Sequence, residues 1–301
     1  MVRHVQLRSL AKINLDLRVL HKRSDGFHEL RTVFQTISLA DSIKIEFESA
    51  KRTELILDDP LAIPDNLVLR AARAALDAMK THARVRFRLK KNIPMGGGLG
   101  GGSSNAAAIL LALPALAGRK LELETLIALG SELGSDVPFF LTGGTALGIG
   151  RGTELYPLPD IARESLIVVC PGVHSSTATS YQSLQRGLAI TDSSSFPIYV
   201  RELVSRRSAA KSAGFSANDF ELAVIGQHPE LKSVSGKLRK LGAACAQMTG
   251  SGSAFFGVFE SRAQRDQALE TLRRGRGAYP AVAAEIVTER QYQALWRRQL
   301  A

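Results

Sequence analysis

Residues 93–113, "IPMGGGLGGGSSNAAAILLAL", join a glycine-rich segment to an apolar one. Six of the seven residues from Gly96 to Gly102 are glycine, the exception is Leu99, and Ser103 and Ser104 follow. Backbone without Cβ atoms can approach a phosphate closely and point several N–H groups at it. A helix that begins at such a loop adds the partial positive charge of its dipole. The segment therefore predicts a phosphate-binding loop, and the alternative is a flexible or packing loop without a ligand.

Two common kinds of phosphate loop do not fit these residues. A Walker A loop ends in Gly-Lys-Ser/Thr, whereas Gly102 is followed directly by Ser103. One register, Gly96, Gly98 and Gly101, satisfies the Gly-x-Gly-x-x-Gly pattern of dinucleotide-binding proteins. However, no acidic residue ends a second strand about 20 residues later, as that fold requires. The loop also lies deep in the chain instead of following a first strand.

The elements around the loop are predicted by hydrophobic periodicity. Alternation over residues 10–20 predicts a strand that places Lys12 and Asn14 on one face. Residues 84–90 alternate in the same way and predict a strand that leads into the loop, and a helix is expected from Ser103 to about Leu116.

The rest of the chain reads as two successive sets of strands and helices. The first set has strands within 33–47, with a turn at "LADS" (39–42), and strand and turn in "GGTALGIGRGTEL". Its helices lie at 66–80 and 121–134, where Gly134 is expected to be a left-handed cap. After a boundary near residue 162, helices are predicted at 198–211, 219–226, 230–241 and 263–274, and strands at 165–170, 244–249, 254–259 and 283–287. Ser193–Ser195 is expected in a surface loop.

Composition places the chain among ordinary globular proteins. Its 301 residues are 45% hydrophobic and 22% charged, and the length is enough for two domains. No stretch approaches the roughly 20 apolar residues of a membrane span. The N-terminus alternates polar and apolar residues and lacks a signal-peptide core, so we expect a cytoplasmic protein. Cys170 and Cys245 lie in apolar segments and are expected to be buried free thiols.

The formal net charge of +11 allows a nucleic acid or an anionic small molecule as partner. The basic residues are scattered along the chain. Aromatic residues make up 6% and do not alternate with the basic ones, as a base-stacking surface would need. We therefore expect no nucleic-acid partner, and binding of nucleic acid is kept as the alternative from another class of function.

"PMGGGLGGGSSNAA" resembles the ATP loop of the superfamily of galactokinase, homoserine kinase, mevalonate kinase and phosphomevalonate kinase, whose core is Pro-x-x-x-Gly-Leu-Gly-Ser-Ser. The additional glycines Gly101 and Gly102 resemble one branch, the 4-diphosphocytidyl-2-C-methyl-D-erythritol kinases. Further segments are similar to motifs of that branch and follow in the same order: "AKINLDLRVL", "KRSDGFHEL", "DNLVLRAA", "LGSDVPFFLTGGTALGIGRGTEL", "NDFE" and "MTGSGSAFFGVF". Together these segments span nearly the whole chain.

The resemblance implies an α+β, two-domain small-molecule kinase fold. Residues 1–162 would form a ribosomal-protein-like ATP domain and residues 163–301 a ferredoxin-like domain. The implied reaction is ATP-dependent phosphorylation of the 2-hydroxyl of 4-(cytidine 5'-diphospho)-2-C-methyl-D-erythritol, with Mg²⁺, in the non-mevalonate isoprenoid pathway. Another small-molecule kinase of the superfamily is the alternative. The oligomeric state is not predicted.

The resemblance also implies roles for individual residues. Asp136 would be the general base and Lys12 its neighbour, which keeps it ionised. ATP would contact Pro94, Gly96, Gly97, Gly98, Leu99, Gly100, Gly101, Gly102, Ser103 and Ser104, with Asn66 at the adenine. The cytidyl substrate would contact Asn14, Phe27, His28, Gly250 and Gly252.

One of these assignments has an alternative, one residue departs from the family pattern, and the metal ligands are open. Asn66 fits a helix cap equally well. Phe27 stands where the family usually has tyrosine, so it keeps a stacking ring and loses a hydroxyl. The protein ligands of Mg²⁺ are unknown, and Ser104 is a candidate.

Overall fold

A computed structural model describes residues 1–173, 180, 181, 184, 195–274 and 279–301. These residues form two β-sheets and the helices that cover them. Within these ranges, none of the helices combines the length and hydrophobicity that a membrane crossing requires.

The first sheet is built on two long antiparallel strands, β1 (Arg3–Lys22) and β2 (His28–Ser49). One half of β2 pairs with β4 (Ala83–Lys90) and the other with β5 (Thr145–Gly150). The two short strands complete the sheet: β3 (Glu54–Asp58) lies parallel to β4, and β6 (Glu154–Pro157) pairs with β5. Strand β1 therefore carries Lys12 and Asn14 through the middle of the molecule.

The predicted turn at "LADS" is wrong, because β2 continues through it as a strand. The register shifts there: Leu10 pairs with Ala40, whereas Ala11 pairs with Ile37. The strands absorb the intervening residues as a local irregularity and do not reverse direction. Asp41, a residue typical of turns, is completely buried at this point.

Five helices pack with the first sheet around one hydrophobic core. They are α1 (Leu67–Ala78), α2 (Gly101–Ala117), α3 (Leu123–Leu133), α4 (Phe139–Thr142) and the C-terminal α10 (Glu289–Leu300). Helix α2 is apolar on nearly all sides and lies at the centre of this core.

The ends of two of these helices differ from the predictions. Helix α2 begins two residues before Ser103, because Gly100 adopts a left-handed conformation with φ 69° at its N-cap. Gly134 ends α3 with an extended backbone of φ 168°, so the predicted left-handed cap is wrong. The chain turns directly towards Asp136 instead.

The second sheet is antiparallel and has the order β10-β7-β9-β8. Its strands are β7 (Ser165–Val169), β8 (Cys245–Met248), β9 (Phe255–Phe259) and β10 (Ala281–Glu285). The helices of this half are α5 (Ser195–Arg206), α6 (Ala209–Ser212), α7 (Asp219–Gln227), α8 (Lys232–Lys240) and α9 (Arg262–Arg274). Cys170 and Cys245 are buried and free, as predicted.

The two halves meet along β1. Ala11, Ile13 and Leu15 share a second core with residues of β7, β9 and α5. The backbone N–H of Leu17 donates to the carbonyl of Ala217 at 2.8 Å. The domain boundary near residue 162 lies between β6 and β7 and stays a prediction. Ser193 and Ser194 of the predicted surface loop lie outside the described residues, and Ser195 begins α5.

Candidate active site

A cavity of about 940 Å³ lies where β1, the glycine-rich loop and the turn after β8 meet. It collects residues from seven separated segments of the chain. Its lining includes Lys12, Asn14, Phe27, His28, Gly96, Gly98, Gly100, Asp136, Gly250 and Gly252. Ten of the residues singled out from the sequence are thus brought together at one site.

Lys12 and Asp136 form an ion pair in this cavity. Nζ of Lys12 lies 3.4 Å from Oδ2 of Asp136, and the side chains are 3% and 32% exposed. The backbone N–H of Lys12 also donates to the carbonyl of Leu99 at 3.1 Å, which ties β1 to the glycine-rich loop. A half-exposed carboxylate beside a buried ammonium can accept a proton from a hydroxyl bound in the cavity.

Asn14 fixes the position of Lys12. Its Oδ1 accepts a hydrogen bond from Nζ of Lys12 at 2.7 Å, and its Nδ2 donates to Oγ1 of Thr32 at 2.7 Å. The backbone N–H of Asn14 donates to Oγ1 of Thr249 at 2.9 Å. Because these groups of Asn14 have protein partners, the side chain acts here as an orienting group for the lysine. Thr32 and Thr249 were not identified from the sequence.

The glycine-rich loop is held by close backbone contacts. Gly98 has φ +72°, and a Cβ there would lie 2.3 Å from the carbonyl oxygen of Thr249. Gly100 has φ +69°, and a Cβ there would lie 2.8 Å from the ring of Phe140, just after Asp136 in the chain. Gly250 has φ +58°, and a Cβ there would lie 2.9 Å from the Cα atom of Gly98. Only glycine satisfies both the conformation and the space at these positions.

A second cavity of about 290 Å³ lies along the same loop. Residues 94–102 line it, which places Pro94, Gly97, Leu99, Gly101 and Gly102 there. Asn66 also lines it. Its Oδ1 caps α1 by accepting from the N–H of Val68, and its Nδ2 donates to Asp59, both at 3.0 Å. The cap interpretation of Asn66 is thus confirmed, and a contact with adenine would come in addition to it.

The two serines after the loop line neither of these cavities. Ser104 is buried, and its hydroxyl donates to the carbonyl of Leu10 at 2.6 Å. This bond holds the first turn of α2 against β1. Ser103 is half-buried. Across the described ranges, no group of three or more His, Cys, Asp or Glu side chains is arranged to hold a metal.

Phe27 and His28 line the same large cavity as the loop. Phe27 is 51% exposed, and the guanidinium of Arg151 lies 4.6 Å from its ring centre. His28 stacks on Tyr181 with ring centres 4.5 Å apart. Partial burial, together with the charge of Lys22, lowers the pKa of His28 below its ordinary value. The lowered pKa favours the neutral imidazole, which offers both a donor and an acceptor.

Two further residues that line this cavity, Tyr181 and Arg151, were missed in the sequence. Tyr181 is packed between His28 and Phe220, and burial, with the charge of Asp136, raises its pKa to about 12. It belongs to none of the segments with a recognisable pattern. Arg151 lies in "GIGRGTEL", and a cation between two glycines of that segment was the signal that could have identified it.

The fold and this site define a class of enzyme. The chain matches the family description "GHMP kinases N terminal domain" over residues 66–144 and "GHMP kinases C terminal" over residues 201–277. The first match contains the glycine-rich loop and Asp136, and the second contains the turn at Gly250. The protein is a GHMP kinase, an enzyme that transfers a phosphoryl group from ATP.

The most informative relatives carry one name. The 4-diphosphocytidyl-2-C-methyl-D-erythritol kinase of Solibacter usitatus is 52% identical over 299 residues, covering 98% of this chain and 93% of the relative. That of Thermotoga maritima is 42% identical, covering 84% and 92%. The chain belongs to the 4-diphosphocytidyl-2-C-methyl-D-erythritol kinase family.

Solved structures agree with this assignment. A crystal structure of 4-(cytidine 5'-diphospho)-2C-methyl-D-erythritol kinase superposes with a TM-score of 0.76 at 36% identity, covering 95% of this chain and 99% of that one. Homoserine kinase from Cytophaga hutchinsonii gives 0.74 at 19% identity, covering 95% of each chain. The second likeness supports the fold alone.

Proposed function

We propose that this enzyme phosphorylates the 2-hydroxyl of 4-(cytidine 5'-diphospho)-2-C-methyl-D-erythritol with ATP, giving the 2-phosphate and ADP. The observation that carries the proposal is the position of the Lys12–Asp136 pair. The pair lines one cavity together with glycines of the glycine-rich loop and the Phe27–His28 segment. A nucleotide phosphate and a cytidyl group can thus be brought to the same carboxylate.

ATP is assigned to the glycine-rich loop and the smaller cavity. Backbone N–H groups between Gly96 and Gly102 and the N-terminus of α2 would bind the phosphates. The adenine would lie near Asn66 and the exposed side chain of Met95, which line the smaller cavity.

A magnesium ion fits this arrangement as a partner of ATP. Mg²⁺ keeps several waters and binds largely through substrate phosphates, so it needs few protein ligands. Asp136 is the carboxylate among the residues that line the large cavity, and it is half-exposed. The ion would neutralise charge on the transferring phosphoryl group when bound.

The cytidyl substrate is assigned to the part of the cavity that Phe27 and His28 line. The cytosine would stack on the ring of Phe27, and the neutral imidazole of His28 would hydrogen-bond to it. Lys22 and Arg151 line the same cavity, and their positive charges would bind the diphosphate. The backbone at Gly250 and Gly252 would form the wall of the cavity next to the methylerythritol group.

The reaction then follows from the Lys12–Asp136 geometry. The 2-hydroxyl oxygen forms a bond to the γ-phosphorus of ATP while the bond from that phosphorus to the ADP oxygen breaks. The hydroxyl proton passes to the carboxylate of Asp136. The ammonium of Lys12, held by Asn14, offsets the negative charge on the transferring group.

Ligand competition separates this proposal from its alternatives. Isothermal calorimetry with CMP should show binding that the cytidyl substrate abolishes, because both use the cytosine site. Another GHMP kinase would bind ADP but not CMP. A nucleic-acid-binding protein would instead bind duplex or single-stranded DNA at physiological salt. The cytoplasmic location, the isoprenoid pathway and the absence of a nucleic-acid partner stay predictions.

A further inference from the structure

Asp41 is a buried carboxylate that the reaction does not use. It lies in the middle of β2, in the "LADS" segment, beside the register shift between β1 and β2. Its side chain is completely buried. A buried carboxylate is costly unless charge and hydrogen bonds compensate it, so its partners indicate what it is for.

The partners of Asp41 all lie where the chain leaves β4 for the glycine-rich loop. Its Oδ1 accepts the backbone N–H of Asn92 at 2.7 Å and that of Ile93 at 2.8 Å. Its Oδ2 accepts from the ammonium of Lys91. Asn92 also donates its Nδ2 to the carbonyl of Ala40 at 3.0 Å. One carboxylate thus holds three consecutive residues immediately before the loop.

Lys91 extends this contact to the far end of the loop. A Cβ on Gly101 would lie 2.9 Å from Nζ of Lys91 and 3.0 Å from the side chain of Ile93. Gly101 is the first residue of α2, so the ammonium lies against the first turn of the helix. Lys91 also lines the smaller cavity. Asp41 therefore fixes the start of the loop directly and its end through Lys91.

We propose that Asp41 is a positioning residue for the nucleotide, which sets the geometry of the glycine-rich loop without touching the ligand. The proposal rests on the assignment of ATP phosphates to this loop. Three charge-assisted hydrogen bonds converge on the carboxylate. An asparagine cannot replace it, because its amide Nδ2 is a donor and would face a donor.

Calorimetry of two ligands on the Asp41→Asn variant tests the proposal. We expect the Kd for ADP to rise about tenfold or more, since the ammonium of Lys91 would face the amide Nδ2 instead of an acceptor, and the Kd for CMP to stay within about twofold. Asp58→Asn, which replaces an exposed aspartate on strand β3 of the same sheet, should leave both values unchanged. Equal weakening of both ligands, or a lower Tm with unchanged ADP affinity, would overturn the positioning role.

Hydrogen exchange on the unaltered protein provides a second measurement, which does not depend on the folding of a variant. The amides of Asn92 and Ile93 lie outside helix and strand, yet they should exchange slowly because Asp41 accepts both. Fast exchange at both amides would overturn the proposal. If the amides are protected and ADP binding is selectively lost, but the cytidyl substrate is not phosphorylated, the proposed function fails and the role of Asp41 remains.

Discussion

The ammonium of Lys12 is shared between two neighbours at different distances. It donates to Asn14 at 2.7 Å, whereas Asp136 lies 3.4 Å away. Asn14 therefore fixes the lysine, and the carboxylate of Asp136 keeps free electron pairs towards the cavity. This division allows the pair to receive a substrate hydroxyl without first breaking a short ion pair.

Replacing either member of this pair should remove most turnover. We expect Asp136→Asn to lower kcat by about 10²–10⁴-fold, because the proton acceptor is lost. Lys12→Met should also remove most turnover, because the transferring charge is no longer compensated. Steady-state kinetics with circular dichroism on the same preparations measures both effects.

Two matched variants serve as controls for that experiment. Lys44→Met replaces an exposed lysine on β2, and Glu132→Gln replaces an exposed carboxylate on α3. Both should retain normal kcat. Near-normal turnover of a folded Asp136→Asn or Lys12→Met enzyme would remove that residue from the mechanism.

Phe27 is exposed enough to be a stacking surface. We expect Phe27→Tyr to change the KM of the cytidyl substrate only slightly, because both residues present the same ring face. Phe27→Ala should raise it by an amount worth about 1–3 kcal/mol, the usual strength of base–aromatic stacking. The KM of ATP should stay nearly constant in both variants.

Tyr156→Ala, which removes another exposed aromatic ring, is the control for Phe27→Ala. It should alter neither KM. If Phe27→Ala lowers the melting temperature and leaves the KM of the cytidyl substrate unchanged, the ring has a packing role only.

Residue types and spacing predicted which side chains meet, but not where each one points. Lys12 and Asn14 follow from strand alternation and the glycines from their density. The hydroxyl of Ser104 turns inward because the carbonyl of Leu10 lies within reach, 94 positions away in the chain. Such a partner is set by tertiary packing, and no local pattern shows it.

At the scale of elements, the glycine-rich loop and the turn after β8 support each other by backbone contact. Gly98→Val and Gly100→Val should weaken ATP binding more than binding of the cytidyl substrate. A β-branched side chain disfavours positive φ and would collide with Thr249 at one position and with Phe140 at the other. Calorimetric titration of each ligand measures the difference.

Gly236→Val is a suitable control, because this glycine lies in α8 with no atom near a Cβ and without positive φ. It should leave both affinities unchanged. Equal loss of ATP and cytidyl-substrate binding in the loop variants would indicate general disruption of the site.

The elements themselves were largely predictable, and the exceptions have local physical causes. Residues 84–90 alternate strictly and form β4 as expected. The prediction of a turn at "LADS" fails because Asp41 accepts hydrogen bonds from the backbone of residues 92 and 93. Residues 39–42 alone contain no information about these distant partners. Gly134 was assigned a left-handed cap from its type, but the chain continues in an extended direction towards Asp136.

At the scale of the whole molecule, Asp16 joins the two halves. Its carboxylate pairs with Arg18 in β1 and accepts the N–H of Ala217 at 2.8 Å. Burial raises its pKa to about 6, although Arg18 and the hydrogen bonds act in the opposite direction. The folded state therefore holds a proton on Asp16 more tightly than the unfolded state does.

This shift gives a defined pH dependence of stability. The contribution of Asp16 is fully present below about pH 4, where both states are protonated, and is lost as pH rises through about 6. Between about pH 4 and pH 6, the free energy of unfolding of the wild type should fall by up to about 3 kcal/mol compared with that of the Asp16→Asn variant. Urea titrations at pH 4.5, 5.5 and 7.5 measure it.

The exposed Asp77→Asn variant is the control for the urea titrations. Its stability relative to the wild type should stay constant over this pH range. If the difference in free energy of unfolding between the wild type and Asp16→Asn also stays constant over this range, the role assigned to Asp16 is contradicted.

Phosphate transfer to the cytidyl substrate is the central claim, and a coupled ADP-release assay tests it most directly. The unaltered enzyme is supplied with ATP, Mg²⁺ and either 4-(cytidine 5'-diphospho)-2-C-methyl-D-erythritol, homoserine or mevalonate. We predict ADP release with the cytidyl substrate alone, equal in amount to the 2-phosphate seen by ³¹P NMR, and loss of both signals in Asp136→Asn. ADP release supported equally well by homoserine or mevalonate, or none with the cytidyl substrate, would contradict the assignment.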